Sequence, residues 1–432
     1  MSNSAEKSMG SDPFLTIEAS ELLDEVKTLK EEGWHFCQAC AYREDDEIEL
    51  IYTFENESRL LSLKMMVSEE TAVDSITFVF WTAFDAELDM ARDCGVKFRH
   101  VAEEHLREFY DVADISYAAE NIRSDMEALT KHRDYRQMMY VEERMAGTSS
   151  FGNSLGYCMA VEQASGIEVP ERAAYLRVIL LELSRIQSHL YWLSMVADRI
   201  GFESLSMEFL AVREPILAIF DRISGNRIML SLCQVGGLKK DISAEQLEDI
   251  LTTLENSRNE LEKLTTLMAQ DASVRRRLEG VGVLEEETAQ AFCKGPAARG
   301  SAVLTDARTD ELWSIYSSLD FVPVLETAGD AMARCKVAAA EIFQSAAMIE
   351  RAIAEIPEGD IAVEVETLSA GEAVVRLEQP DGQAVYYAKT TDSDHLKKLR
   401  VSMATDANLL AYVRVMKACE PIDRQLVSLT MD

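Results

Sequence analysis

The cysteines, the histidines and two glycine-rich breaker clusters are where this sequence of 432 residues offers chemistry. Cys37-Gln38-Ala39-Cys40 is a CxxC pair. A zinc ribbon needs a second pair at comparable spacing, and none follows. A redox pair needs a helix N-terminus to lower a thiol pKa. The flanking pattern here is that of a strand, which sends the two side chains to opposite faces, so a structural role is the expectation. The six histidines, His35, His100, His105, His132, His189 and His395, form no HxH or HExxH spacing. His189 lies in an apolar helical run, beside Ser188 and near Glu182. It reads as a hydrogen-bonded structural residue rather than a metal ligand. His132 precedes Arg133 in a polar stretch and reads as a surface residue.

Gly236-Gly237 and Gly295-Pro296-Ala297-Ala298-Arg299-Gly300-Ser301 are the breaker clusters. Such clusters are turns more often than sites. The second carries Arg299 and is followed by Asp306 and Arg308, and charged residues fixed on such a loop can line a cavity. No Walker A or dinucleotide-type glycine loop occurs, so the chain itself is not expected to bind NAD.

The elements that must position these residues follow from periodicity. A polar stretch over 1–13 reads as a flexible tail. A helix is expected over about Glu18 to Glu32, with Leu22, Leu23, Val26 and Leu29 at helical spacing. Strands are expected at Ile48–Phe54, Leu60–Val67 and Val73–Phe80. A helix over Thr82–Asp93 ends at Gly95. Pro170-Glu171 opens a long helix that runs through Leu176, Leu183 and Leu193 to Gly201. Further helices are expected at about Leu205–Ile223, Ser243–Ala269 and Thr327–Ile356. Glu366–Lys389 reads as β structure turning at Pro380-Asp381-Gly382. The fold class is therefore α+β: a small N-terminal α+β domain over 14–112, a linker and helix over 113–142, and a mainly helical domain with a C-terminal β region over 143–432.

Hydrophobic residues make up 47% of the sequence and charged residues 28%, with a formal net charge of −33. Such an acidic surface argues against nucleic acid and against lying on anionic lipid unaided. No uncharged apolar run reaches about 18 residues, and the N-terminus has no signal-peptide core. A cytoplasmic protein with scattered, reduced thiols is expected.

The order of motifs resembles a known superfamily. Trp81 through Phe98, with its acidic helix and the Gly95-Val96-Lys97-Phe98 stop, is similar to the end of the small α+β subunit of respiratory complex I. Leu155-Gly156-Tyr157-Cys158-Met159-Ala160-Val161-Glu162, Glu171-Arg172-Ala173 and Glu182-Leu183-Ser184-Arg185-Ile186-Gln187-Ser188-His189-Leu190 resemble the large subunit shared by complex I and membrane-bound energy-converting nickel–iron hydrogenases. Gly225-Asn226-Arg227, Gly236-Gly237, Gly295 to Arg308, Ile349-Glu350 and Ile356-Pro357-Glu358-Gly359-Asp360 follow in the same order. The resemblance spans nearly the whole sequence and implies a fused small and large subunit.

The departures from that pattern bear on mechanism. Where the hydrogenases place two thiolates and a histidine, this chain has Ala146, Ser149 and Asn153. A methyl cannot ligate, and a neutral hydroxyl is a poor soft-metal ligand. The family's second CxxC is expected beyond Leu429-Thr430-Met431-Asp432. The family's arginine above the metals has no counterpart in Glu366 to Glu372. Complex I places a tyrosine where this chain has Gly147, and its Gly-Pro-His-like hairpin has no counterpart. The resemblance thus implies a redox-complex subunit with a degenerate cavity around Ala146, Gly147, Ser149, Asn153, Arg299 and Asp306, and no metal of its own. It implies an iron–sulfur cluster in a small partner subunit, membrane-embedded partners, a peripheral place on the cytoplasmic membrane, and a quinone or other acceptor. A structural or coupling subunit without redox chemistry is the alternative. Arg299 is expected to orient an acceptor, or to pair with an acid such as Asp306 or one from another helix.

Overall fold

The computed structural model describes residues 13–57, 59–101, 129–130, 132–309 and 314–431. The chain divides into two compact units, Met1–Arg123 and Ser124–Asp432. Residues 1–12 of the expected tail, the boundary near 112 and His105 lie outside the described residues.

The first unit is a four-stranded sheet covered by helices. Its elements are β1 (Phe14–Thr16), α1 (Leu22–Glu31), β2 (His35–Glu44), β3 (Glu47–Asn56), β4 (Arg59–Ser68), β5 (Ala72–Asp74), α2 (Phe84–Cys94) and β6 (Lys97–Arg99). The strand order is β1-β4-β3-β2, with β1 parallel to β4 and the rest antiparallel. Alternate residues Ile48, Leu50, Tyr52 and Phe54 of β3 join Leu22, Val26 and Leu29 of α1 in one apolar core, as a period of two against a period near four requires. Gly95 ends α2 at φ 74°, the left-handed cap that favours glycine.

Two local expectations change here. Val73–Phe80 is a strand only to Asp74, because Ser75 and Thr77 turn the chain to hydrogen-bond each other at 2.6 Å. Cys37 is the extra residue of a β-bulge between Phe36 and Gln38, so the simple alternation that set Cys37 and Cys40 on opposite faces is interrupted. Neither thiol forms a disulfide.

The second unit is a helical bundle with a three-stranded sheet. Its elements are α3 (Tyr135–Glu142), α4 (Ser150–Ser165), α5 (Glu171–Arg199), α6 (Glu203–Ser224), β7 (Cys233–Gln234), β8 (Gly237–Leu238), α7 (Ala244–Gln270), α8 (Ala272–Leu278), α9 (Glu286–Phe292), α10 (Gly295–Arg299), α11 (Ser314–Ser318) and α12 (Ala331–Glu355). They are followed by β9 (Gly371–Gln379), β10 (Gly382–Thr390), β11 (Leu396–Ser402), α13 (Ala404–Ala418) and α14 (Arg424–Met431). The mixed α+β class is as read from the sequence, and β7, β8 and β11 are strands of this unit that the reading did not include. Helix α5 is buried on most of its circumference, which is why its pattern is nearly continuous in apolar residues. It packs against α6 and α12, while α4 packs on β9 and β10.

Turn chemistry sets two boundaries that matter later. Ser243 caps α7 through a reciprocal bond with Gln246. The β9–β10 hairpin turns through Pro380-Asp381, with Gln379 paired to Gly382. Gly382 has φ 132°, and a Cβ on the facing Gly295 would lie 2.4 Å from the Gly382 Cα. Only glycine at both places lets α10 approach that hairpin.

Glu87 supplies a test of the first unit. Its buried carboxylate accepts from Ser75 Oγ at 2.6 Å and from the Ile76 amide at 2.9 Å. Burial outweighs those bonds and raises its pKa to about 7. The folded form therefore holds a proton that the unfolded form releases near 4.5, and stability falls as pH rises from about 4.5 through 7. Glu87→Gln is expected to flatten that decline in thermal melts at pH 5 and 8, gaining roughly 1–3 kcal/mol at the higher pH. An unchanged pH slope would remove the assignment.

Candidate functional site

Charged side chains at 182, 185 and 189 share one side of α5, because spacings of three and four recur on a helical face. All three are buried. Glu182 accepts from Arg185 Nε at 3.1 Å, from Tyr316 Oη at 2.6 Å and from Ser345 Oγ at 2.6 Å. Arg185 donates onward to the backbone carbonyls of Glu378 at 2.7 Å and Gln379 at 2.9 Å, which ties α5 to the end of β9. His189 Nε2 lies 2.8 Å from Glu341 Oε2 on α12.

Arg299, at the end of α10, completes the cluster. Its Nε donates to Glu341 at 2.9 Å, and its Nη1 lies 2.7 Å from Glu378 and 3.2 Å from Asp306. Arg308 grips Asp306 through Nε at 2.9 Å and Nη2 at 2.7 Å, and its Nη1 reaches Glu182 at 3.5 Å. The result is a continuous ionic network with side chains almost wholly shielded from solvent.

Three guanidiniums, Arg185, Arg299 and Arg308, face four carboxyls, Glu182, Asp306, Glu341 and Glu378. Burial would raise all four acids. Arg299 and His189 nevertheless hold Glu341 well below the usual carboxylate range. Arg185 and Arg308 hold Glu182 below it, and Arg308 and Arg299 do the same for Asp306. Glu378 goes the other way: burial and the neighbouring Asp306 charge raise it. Burial lowers His189 despite its bond to Glu341.

His189 also lines a cavity of about 260 Å³. Ala146, Thr148, Trp192, Ala297, Arg334 and Asp381 line it as well. The loop before α4, the face of α5, the start of α10, the first turn of α12 and the β9–β10 turn all meet there. None of the described residues that line it is a cysteine. Among the described residues no group of three or more His, Cys, Asp or Glu side chains is arranged to hold a metal ion.

The residues singled out in the sequence separate into four places. Ala146 faces the cavity. Ser149 is buried beside it and donates to Asp381 Oδ1 at 2.8 Å. Gly147 is exposed between two lining residues, with nothing within 4 Å of where a Cβ would stand. Asn153 is not on the cavity: its Oδ1 accepts from Gln379 Nε2 at 2.8 Å in a buried group with Tyr386. Arg299 and Asp306 belong to the ionic network behind the wall. Gly236-Gly237 serves a different pair, because the Gly236 amide and the Gly237 carbonyl meet the buried Glu162 and Arg177.

Sequence reasoning does not bring forward Glu341, Glu378, Tyr316, Asp381 or Arg334 as site residues. One signal for part of the network is available: charges at i, i+3 and i+7 inside an otherwise apolar helix must find buried partners.

Replacing Arg299 by Met leaves three carboxyls without their shared cation. Thermal and denaturant melts should show a loss of about 3–5 kcal/mol at neutral pH. The Glu341 contribution, complete above about pH 4.5 and lost as pH falls towards its lowered folded value, should shrink in the variant. A variant as stable as the parent at pH 7 would show that the network carries no such strain.

Comparison with known proteins adds the following. Residues 199–370 match the family described as the respiratory-chain NADH dehydrogenase 49 kDa subunit. The chain is 35% identical over 275 residues to the membrane-bound hydrogenase subunit alpha of Pyrococcus furiosus, covering 60% of this chain and 64% of that one. It is 30% identical to the carbon monoxide-induced hydrogenase of Rhodospirillum rubrum, covering 74% and 90%. It is 33% identical to one of the subunits of the F(420)H(2) dehydrogenase of Methanosarcina mazei, covering 65% and 78%. The chain thus spans just under two thirds of the Pyrococcus protein.

Proposed function

The chain belongs to the large-subunit superfamily of respiratory complex I and the energy-converting hydrogenases, and from that premise we propose that it is the cavity-bearing subunit of a membrane-associated electron-transfer complex without a nickel–iron centre. No helix among the described residues is long and apolar enough to cross a membrane. Membrane association therefore falls, in this reading, to partner subunits on the cytoplasmic side. An iron–sulfur small subunit supplies electrons, and the cavity receives a quinone or another non-metal acceptor.

One observation carries the proposal. His189 stands with its side chain on the cavity and its Nε2 on Glu341, the entry to the buried ionic network. An acceptor that gains an electron gains negative charge, and an imidazole is the wall group whose ordinary pKa lies nearest neutrality. Protonation of His189 would strengthen its pull on Glu341, and Arg299 shares that carboxylate. A change in the cavity is thus communicated to α10, α12 and β9 through short polar contacts, without any metal. The residues at the hydrogenase ligand positions do not suit nickel: Ala146 offers a methyl, and the Ser149 hydroxyl is engaged by Asp381. The second reading, a coupling subunit with no redox chemistry of its own, draws on the same network, since full pairing is also what a structural element needs.

Three measurements test the proposal, and the second separates its two readings. Metal analysis of the purified complex is expected to find nickel far below one atom per chain; about one atom per chain would overturn the assignment. His189→Gln, whose amide can still reach Glu341, should leave the complex assembled while lowering acceptor reduction by about tenfold or more, as loss of a proton-handling group does. Full turnover by that variant would favour the coupling reading. Expressed alone, the chain should aggregate and be rescued by its iron–sulfur partner, because obligate interfaces are large and apolar. A monodisperse, cooperatively melting lone chain would count against the complex.

A further inference from the structure

Four arginines rank among the largest fully buried side chains: Arg185, Arg299, Arg308 and Arg334. The first three meet carboxylates. Arg334 does not: among the described residues no carboxylate lies within 4.0 Å of its guanidinium. It is 1% exposed and lines the cavity.

Its surroundings make the absence notable. Arg334 sits in the first turn of α12, where the helix end is positive and a cation is disfavoured. The nearby acid Asp330 is occupied as the cap of that helix, its Oδ1 accepting from the Ala333 amide and its Oδ2 from the Gly280 amide, both at 2.8 Å. A guanidinium has five N–H groups. Here Nη1 donates to the Gly329 carbonyl at 2.9 Å, and Nη2 donates to the Gly282 carbonyl at 2.8 Å and to Thr430 Oγ1 at 3.3 Å. Among the described residues Nε is buried with no partner. Burial lowers the pKa of this arginine to about 10. The chain thus fixes a charged fork on a cavity wall and leaves it short of an anion, which a buried charge requires.

We propose that this cavity binds a small monocarboxylate, with the Nε–H of Arg334 donating to one of its oxygens and the apolar wall of Trp192, Ala297 and Ala338 receiving its body. A hydrogen bond from a charged N–H to a carboxylate is stronger than one between neutral groups. Among the described residues that line the space there is one guanidinium, one carboxylate, that of Asp381, and no lysine, a balance that favours a monoanion. A phosphate dianion would meet as much repulsion as attraction. This inference rests on reading the cavity as the functional site, and not on any electron-transfer role.

The test is equilibrium binding to the purified complex by calorimetry, with acetate, butyrate and benzoate as probes. Benzyl alcohol serves as the uncharged counterpart of benzoate, and inorganic phosphate as the dianion. At least one carboxylate should bind saturably, with benzyl alcohol and phosphate roughly tenfold weaker or more, as expected for a charged hydrogen bond. Arg334→Gln should lose that binding by a similar factor. Should that variant fail to fold, Ala338→Leu keeps the charge but fills the wall, and it too should lose benzoate. Absence of saturable binding by all three carboxylates overturns the proposal, as does undiminished binding to a folded Arg334→Gln. Tighter binding of phosphate overturns the choice of a monoanion. Carboxylate binding in a complex that reduces no acceptor would defeat the redox reading while leaving this one standing.

Discussion

The second unit is organised around one constraint: seven ionisable side chains and a histidine are enclosed together, and each must be satisfied by the others. Moving a single such ion out of water into a medium of very low dielectric is idealised at about 20 kcal/mol. No apolar contact offsets that for one residue. Mutual pairing must do so, and pairing demands that α5, α10, α12 and β9 hold their side chains within hydrogen-bond reach. The network is therefore better regarded as a source of specificity than of stability. An apolar replacement of the whole set could be neutral, but removal of one member strands its partners.

Several features of the fold follow from that demand. Arg185 fastens α5 to the last carbonyls of β9. The close approach of Gly295 and Gly382 lets α10 sit against the β9–β10 hairpin, which brings Arg299 to Glu378. Gln187 accepts from Arg213 and donates to the Thr148 carbonyl at 2.9 Å, fixing the loop that presents Ala146 to the cavity. The same helix thus turns one set of side chains into the network and another onto the cavity, with His189 belonging to both.

The contrast between Arg299 and Arg334 separates structure from binding. Both are fully buried arginines beside glycine-rich loops. One is surrounded by carboxylates, and the other has carbonyls, a hydroxyl and an unpartnered Nε. A closed set of charges explains itself within the fold. An open one points to something outside the chain. This is why the residue that a family pattern brings forward, Arg299, lies behind the wall, whereas the wall itself presents an arginine that no motif marked.

By itself, the sequence determined the α+β class, the superfamily and the major helices, because these depend on local periodicity, capping residues and side-chain chemistry. The long α5 was legible from Pro170-Glu171 and its apolar period, and the β9–β10 turn from Pro380-Asp381-Gly382. The bulge at Cys37 and the early end of the strand at Asp74 were not, since neighbouring strands and a serine–threonine bond decided them. Only the tertiary structure decided who pairs with whom. Asp306 is seven positions from Arg299, but Glu341 and Glu378 are 42 and 79 residues away, and Glu341 is 152 from His189. Nothing in a local pattern distinguishes a buried charge with a partner on a distant helix from one with none. That distinction depends on the packing of elements far apart in the chain, and it is what separates the network from the cavity here.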